Sequence, residues 1–219
     1  MVMPVLLFPD VIISSFSNLV VPEYAYFDTK KSYDHISYLT GRIFRITFLF
    51  SFAVFGVFFF YAKEISFAVY QNFEIANYLK ILSPLVIFMY LDGIIDNILK
   101  GLGKQVKVMK CNILDLFTSI FFITSFLPLF GLNGYLLVIY ISELLNFSIS
   151  LYQLKKLASF QIDKVNWLLK PIIGIGISAF VTKLLVPSIS FELFSIVLQI
   201  AIFLSGYFVF LLISHAFEV

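Results

Sequence analysis

Five of the thirteen carboxylates in this 219-residue chain lie inside long apolar runs: Asp10, Asp92, Asp96, Asp115 and Glu143. Placing such a group at membrane depth costs roughly 2.5–3.5 kcal/mol on insertion scales. A helix keeps it only where it faces protein or water, and there it can carry a proton, hold a cation or accept hydrogen bonds from hydroxyls. Other polar residues repeat around each acid at the i, i+3, i+4 and i+7 spacing that shares one helix face. Asp10 is followed by Ser14, Ser17 and Asn18, and Asp92 by Asp96, its neighbour Asn97, and Lys100. Asn112, Thr118 and Ser119 flank Asp115, and Asn146 and Ser150 follow Glu143. Four polar stripes predict one shared hydrophilic cavity lined by Asp10, Ser14, Asn18, Asp92, Asp96, Asn97, Asp115, Glu143 and Asn146. Pro9 and Pro84 would free backbone carbonyls near it and allow a kink.

The same residue types have plainer uses. Ser, Thr and Asn stripes join membrane helices, Asp96 and Lys100 four residues apart form a snorkelling pair, and Asp115 is near enough to Lys110 to be solvated. For Asp96 and Asp115 the two readings stand level. Asp10 and Glu143 lie nearer mid-helix, where solvation is hardest, so a cavity or coupling role is the stronger reading there.

Catalysis has little support. No GxSxG, HExxH or P-loop pattern occurs, and His35 has no nucleophile or metal partner in sight. The single Cys111 cannot form an internal disulfide, and no Cys/His spacing fits a structural zinc. No enzyme activity, cofactor or metal centre is expected.

The elements that must position these residues follow from composition. Hydrophobic residues make up 61% of the chain and charged ones 13%, with a mean hydropathy of +1.00; a soluble domain carries about 25% charged residues. The chain is therefore expected to be an all-α, polytopic membrane protein, a single transmembrane domain over 1–219. A net charge of +2 spread along the chain excludes a nucleic-acid surface. A helix needs about 20 apolar residues to cross a bilayer. Seven stretches qualify: 2–21, 41–62, 77–99, 109–130, 134–154, 167–186 and 191–214. Pro22, the Gly101 and Gly103 cap, the Pro128, Gly131 and Gly134 hairpin, and Pro187 punctuate them. Only the first, third, fourth and fifth carry acids away from their ends, since Glu192 stands at the very start of the seventh, so the second, sixth and seventh are expected to form a lipid-facing shell. Residues 160–167, ending in Trp167, read as an interfacial anchor, and Lys183 as a side chain snorkelling outward.

Twelve of the fifteen Lys and Arg residues fall at the joints after the first, third and fifth stretches. The positive-inside rule makes those joints cytoplasmic, with the C-terminus inside and the N-terminus outside. Met1 opens directly into an apolar stretch with no basic region to direct it. A preceding helix is expected, and with it a longer parent protein, a truncated product or a fragment.

The order of motifs carries a resemblance. Residues 3–23, MPVLLFPDVIISSFSNLVVPE, residues 82–105, LSPLVIFMYLDGIIDNILKGLGKQ, and residues 127–151, LPLFGLNGYLLVIYISELLNFSISL with its Phe-Gly-x-x-Gly hairpin, resemble bacterial polysaccharide and lipid-linked oligosaccharide flippases, particularly the stage V sporulation protein B group. The resemblance covers nearly the whole chain. It implies the C-terminal half, helices eight to fourteen, of a two-lobe fourteen-helix transporter in the bacterial cytoplasmic membrane, in the superfamily that includes the multidrug and toxin extrusion proteins. It further implies movement of undecaprenyl-linked sugar or peptidoglycan precursors, driven by an ion gradient or membrane potential. Membrane lipids, a polyprenyl-linked sugar substrate and a missing N-terminal lobe would be the partners, with no nucleic acid among them.

The chain also departs from that group. Asp10 replaces a small polar residue, and Tyr24-Ala25-Tyr26 replaces small residues. Relatives that flip peptidoglycan precursor meet its pyrophosphate with cavity arginines, whereas Arg42 and Arg45 lie at the start of the second stretch. Two other expectations stand beside flipping. One is a multidrug or cation antiporter of the same superfamily, and the other is a non-transporting remnant or scaffold.

Overall fold

The computed structural model describes residues 2–158, 160, 163, 165–186, 193–214 and 216. The described residues form helices α1 (Met3–Leu7), α2 (Asp10–Thr29), α3 (Tyr33–Phe60), α4 (Ala62–Tyr70), α5 (Ile75–Leu82), α6 (Leu85–Gly101), α7 (Gln105–Lys155), α8 (Lys170–Leu185) and α9 (Leu193–Ile213). A π-helical turn, Val165–Leu169, leads into α8. The architecture is all-α among these residues, as the composition predicts. Residues 191–192 of the seventh expected span and parts of the 160–167 segment lie outside the described residues.

Among the described residues four helices are long and apolar enough to cross a membrane, and five if α5 and α6 count as one bent span. They correspond to the second through seventh expected stretches, because α7 contains two. The first expected stretch differs. It breaks after Leu7 at Phe8 and Pro9, and α2 then runs through Pro22 to Thr29 instead of stopping there. Tyr24 supplies the reason: it is buried, and its hydroxyl meets Thr40 Oγ1 at 3.1 Å, so side-chain packing outweighs the hydrogen bond that Pro22 removes. At Pro84 the expected kink is present, with α5 and α6 bent by 52°. In α7 the 51-residue helical run is interrupted at Gly131, whose φ of 56° and ψ of −135° are non-helical.

The chain divides into two compact units. Unit 1 contains α1, residues 45–87, and the chain from 162 onward; unit 2 contains residues 10–44 and 88–161.

Unit 1 has its core where the second half of α3 meets α8 and α9. A Cβ on Gly56 would come within 2.6 Å of Phe203 and 3.0 Å of Ile175, so the glycine lets those side chains approach the α3 backbone. Tyr207 is fully buried and donates its hydroxyl to the Leu49 carbonyl at 2.9 Å. Arg45 donates through Nε (2.7 Å) and the adjacent guanidinium nitrogen to the Ala216 carbonyl, and Lys170 donates to the Ser214 carbonyl at 2.6 Å. Trp167 is 6% exposed and sits 6.0 Å from Phe48, packed inside rather than standing at a surface. Asp163 accepts from the backbone N–H groups of Val165 and Asn166 at 3.0 and 3.2 Å and so caps the turn that carries Trp167.

The expectation of a lipid-facing shell is corrected for the second stretch. The apolar window of α3 is 67% buried, whereas that of the acid-bearing α7 is entirely unburied. A helix apolar on all sides is driven into the core, while one with a single polar stripe can turn that stripe inward and leave its other faces bare.

Unit 2 is built on α2, α6 and the folded α7. Ser17 accepts from Asn97 Nδ2 at 3.1 Å, and Phe88 meets Phe147 at 5.4 Å. Cross-helix contacts show that α7 doubles back at Gly131. Gln153 meets Cys111, Ser142 meets Ser119, and a Cβ on Gly134 would lie 2.4 Å from the Phe126 carbonyl oxygen. These partners fall nearly symmetrically about residue 130, as in an antiparallel hairpin.

Candidate functional site

The polar residues of unit 2 converge where α6 meets the two arms of α7. From α6 comes Asp92, 8% exposed and spaced four residues from Asp96, so both carboxylates leave one face of the helix. The outgoing arm of α7 brings Asp115, and the returning arm brings Ser142, Glu143, Asn146 and Ser150.

Hydrogen bonds tie the three segments together. Asn146 Nδ2 donates to Asp92 Oδ2 at 2.8 Å, which joins α6 to the returning arm. The Ser142 hydroxyl bonds Asp115 Oδ1 and also lies 2.6 Å from the Ser119 hydroxyl, which closes the hairpin. Ser150 stands beside Asp92, and Asn112 beside Asp96. Glu143 lies within electrostatic reach of both Asp92 and Asp115, and Asp96 within reach of Asp92 and Lys100. Lower in the hairpin, Gln153 Nε2 approaches the Cys111 sulfur at 2.7 Å.

The network has more acceptors than donors. Asp92 Oδ1, Asp96 Oδ1, Asn146 Oδ1, Ser150 Oγ and Gln153 Oε1 are buried without hydrogen-bond partners. Unmet buried oxygen atoms are costly, about 1–3 kcal/mol each, and such a group calls for an explanation such as a bound ion or water. Among the described residues no three His, Cys, Asp or Glu side chains are arranged to hold a metal ion.

Of the nine residues singled out from sequence, five meet here: Asp92, Asp96, Asp115, Glu143 and Asn146. Asn97 faces α2, where it bonds Ser17, and its Oδ1 receives Lys100 Nζ at 3.4 Å. Asp10 opens α2 and lies near Tyr90. Ser14 donates back to the Val11 carbonyl of its own helix at 3.2 Å, and Asn18 is exposed. Ser142 and Gln153 were missed by the sequence reading. Their signal was present: 142, 146, 150 and 153 continue one helical stripe, but Ser142 adjoins Glu143 and the stripe was traced from the acid.

An all-α membrane chain with several apolar spans and an acid cluster between helices belongs, as a class, with multi-pass membrane proteins. Its backbone narrows this further. The fold is similar to a solved structure described as Lipid II flippase MurJ in an inward closed conformation, with a TM-score of 0.74, 16% identity, and coverage of 95% of this chain and 44% of that one. This chain thus spans less than half the length of that flippase. No family model matches the sequence, and no curated protein matches it.

Proposed function

We propose that this chain is one lobe of a flippase that moves undecaprenyl-linked oligosaccharide or peptidoglycan precursor across a bacterial cytoplasmic membrane. The observation that carries the reading is the fold similarity to Lipid II flippase MurJ over 95% of the chain. A stage V sporulation protein B-like role is the narrower form of the same proposal and rests on the three sequence blocks. In this reading a second lobe completes the transporter, and substrate crosses as one lobe rocks against the other.

The acid cluster supplies a coupling step. A proton taken up among Asp92, Asp96, Asp115 and Glu143 would turn one carboxylate into a donor for a neighbouring unmet oxygen and draw the arms of α7 toward α6. Its departure would release them. Asn and Ser groups near the cluster would hydrogen-bond sugar hydroxyls. The test is transfer of a fluorescent lipid-linked disaccharide in proteoliposomes containing the complete two-lobe transporter, with Glu143 or with the Glu143→Ala substitution in this lobe. Flux should fall while membrane insertion is unchanged; equal flux at equal insertion refutes the coupling role.

A second reading has its own support. The cluster gathers four carboxylates within electrostatic reach of one another, with Lys100 beside Asp96, a negative site that favours a cationic substrate over a pyrophosphate. A multidrug or cation antiporter of the same superfamily would exchange protons or sodium for an organic cation at that site. Growth in toxic organic cations that depends on Asp92 would favour it over flipping. If neither flux nor resistance is found, the remaining proposal is a non-transporting scaffold or remnant. The proposed orientation puts the C-terminus inside and the N-terminus outside. A single cysteine at residue 2 in a Cys111-free background should react with an impermeant thiol reagent on intact cells, and protection would reverse the assignment.

A further inference from the structure

Unit 1 contains a pocket, apolar over most of its lining but with a polar inner wall, that the acid cluster of unit 2 does not involve. It lies where the end of α3 and the start of α4 meet α8 and α9, with a volume of about 250 Å³. Its inner wall is formed by Tyr61, Glu64, Thr182 and Gln199, all buried. Its outer wall is formed by Phe60, Val186 and the exposed Lys183.

The hydrogen bonds of the inner wall are unevenly satisfied. Thr182 donates to the Ser178 carbonyl at 2.8 Å, so its hydroxyl is engaged, and the Tyr61 hydroxyl lies near Thr182. The Gln199 amide nitrogen reaches Ser195 at 3.4 Å. Glu64 is 7% exposed, and its Oε2 has no hydrogen-bond partner although it lines the cavity. Lys183 does not supply one; its side chain stands out at the rim.

We propose that this pocket binds the 2-aminoethyl phosphate headgroup of a zwitterionic phospholipid. The ammonium enters against Glu64 and the Gln199 side-chain oxygen, the phosphate meets Lys183 at the rim, and the acyl chains lie on the adjacent apolar surface. Three observations fit this ligand together. A buried unpaired carboxylate calls for a cation with N–H donors, and a primary ammonium offers three. The cation at the rim lies outside the anion of the floor, in the order in which a lipid presents its phosphate and amine to a pocket entered from the membrane. The outer faces of α8 and α9 beside the rim are apolar and bare, with Phe180, Leu184, Leu185 and Phe194 each at least 65% exposed. The pocket also sits at helix ends, the level at which headgroups lie.

The test uses the whole chain reconstituted in nanodiscs of equal parts dioleoyl phosphatidylethanolamine, phosphatidylcholine and phosphatidylglycerol, extracted into mild detergent, with retained lipid identified by native mass spectrometry. One phosphatidylethanolamine should be retained per chain, enriched roughly tenfold over the other two, because only it combines N–H donors with a phosphate. Glu64→Gln and the exposed Lys183→Ala should each lower that enrichment. Equal retention of phosphatidylglycerol by the wild-type chain, or unchanged retention in both variants, overturns the proposal. Free phosphoethanolamine added during extraction separates the two sources of this chemistry. Weak displacement assigns the lipid, and displacement as effective as that by short-chain phosphatidylethanolamine overturns the lipid assignment in favour of a soluble ligand.

Discussion

Replacing Gly134 by alanine should loosen the α7 hairpin, and the structure gives both sign and size. A Cβ built there would lie 2.4 Å from the Phe126 carbonyl oxygen, 2.9 Å from its carbonyl carbon and 3.1 Å from Phe130 Cβ. Two of these are backbone atoms that cannot rotate away, so the returning arm must move. Overpacking of this kind costs about 1–3 kcal/mol. Alanine regains about 1 kcal/mol of helix propensity. With a rigid neighbour placing the strain at the top of its range, the net loss is about 2 kcal/mol, roughly a thirtyfold change in the unfolding equilibrium. Gly131→Ala should also destabilise, by about 1–3 kcal/mol, because its φ of 56° and ψ of −135° suit only glycine. Gly176 provides the control. It lies in α8 with nothing within 4 Å of the added methyl, so Gly176→Ala should stabilise by about 0.5–1 kcal/mol. Reversible SDS unfolding in mixed micelles, followed by circular dichroism, measures all three. If α7 were one straight 51-residue helix, all three substitutions would stabilise. Stabilisation by Gly131→Ala and Gly134→Ala would therefore refute the hairpin and the meeting of Asp115 with Ser142 across it.

The link between Asp92 and Asn146 should appear in a double-mutant cycle of Asp92→Ala and Asn146→Ala, with a coupling of about 0.6–1.7 kcal/mol as for other hydrogen bonds between membrane helices; zero coupling would remove α6 from the site. Asp163 is held below the usual carboxylate range, chiefly by the backbone N–H of Asn166, with further bonds from the Asn166 side chain and the Val165 N–H. A carboxyl lowered in the folded state contributes in full above its unfolded value of about 3.9, and the contribution is lost as pH falls through the lower folded value. Protection of the 165–169 amides, relative to their intrinsic exchange rate, should accordingly fall at acid pH and become insensitive to pH in Asp163→Ala; identical protection profiles would show that the cap does not hold the turn.

Much of the site was legible because a buried acid is expensive enough to be noticed in one dimension. Asp92, Asp96, Asp115, Glu143 and Asn146 were singled out by type and spacing, and the structure brings them together. Asp10, Ser14, Asn18 and Asn97 satisfied the same rule and face elsewhere. A stripe fixes which residues share a face, but not which helix that face meets.

The Lys and Arg pattern, the apolar runs, the proline kink at 84 and the turn at Gly131 are local properties, set by transfer energy and backbone sterics within one segment. The fate of Pro22 was not local, since Tyr24 reaching Thr40 on another helix holds α2 beyond it. Nor was the burial of α3, which depends on Ile175 of α8 and Phe203 of α9 closing over Gly56. Glu64 makes the contrast sharpest. In sequence it is an ordinary acid between two spans, and only the meeting of α4, α8 and α9 buries its carboxylate and leaves one oxygen without a donor. Sequence determines what each segment must hide; tertiary packing decides which partner hides it, because that choice depends on contacts between different helices, from 16 to more than 150 positions apart.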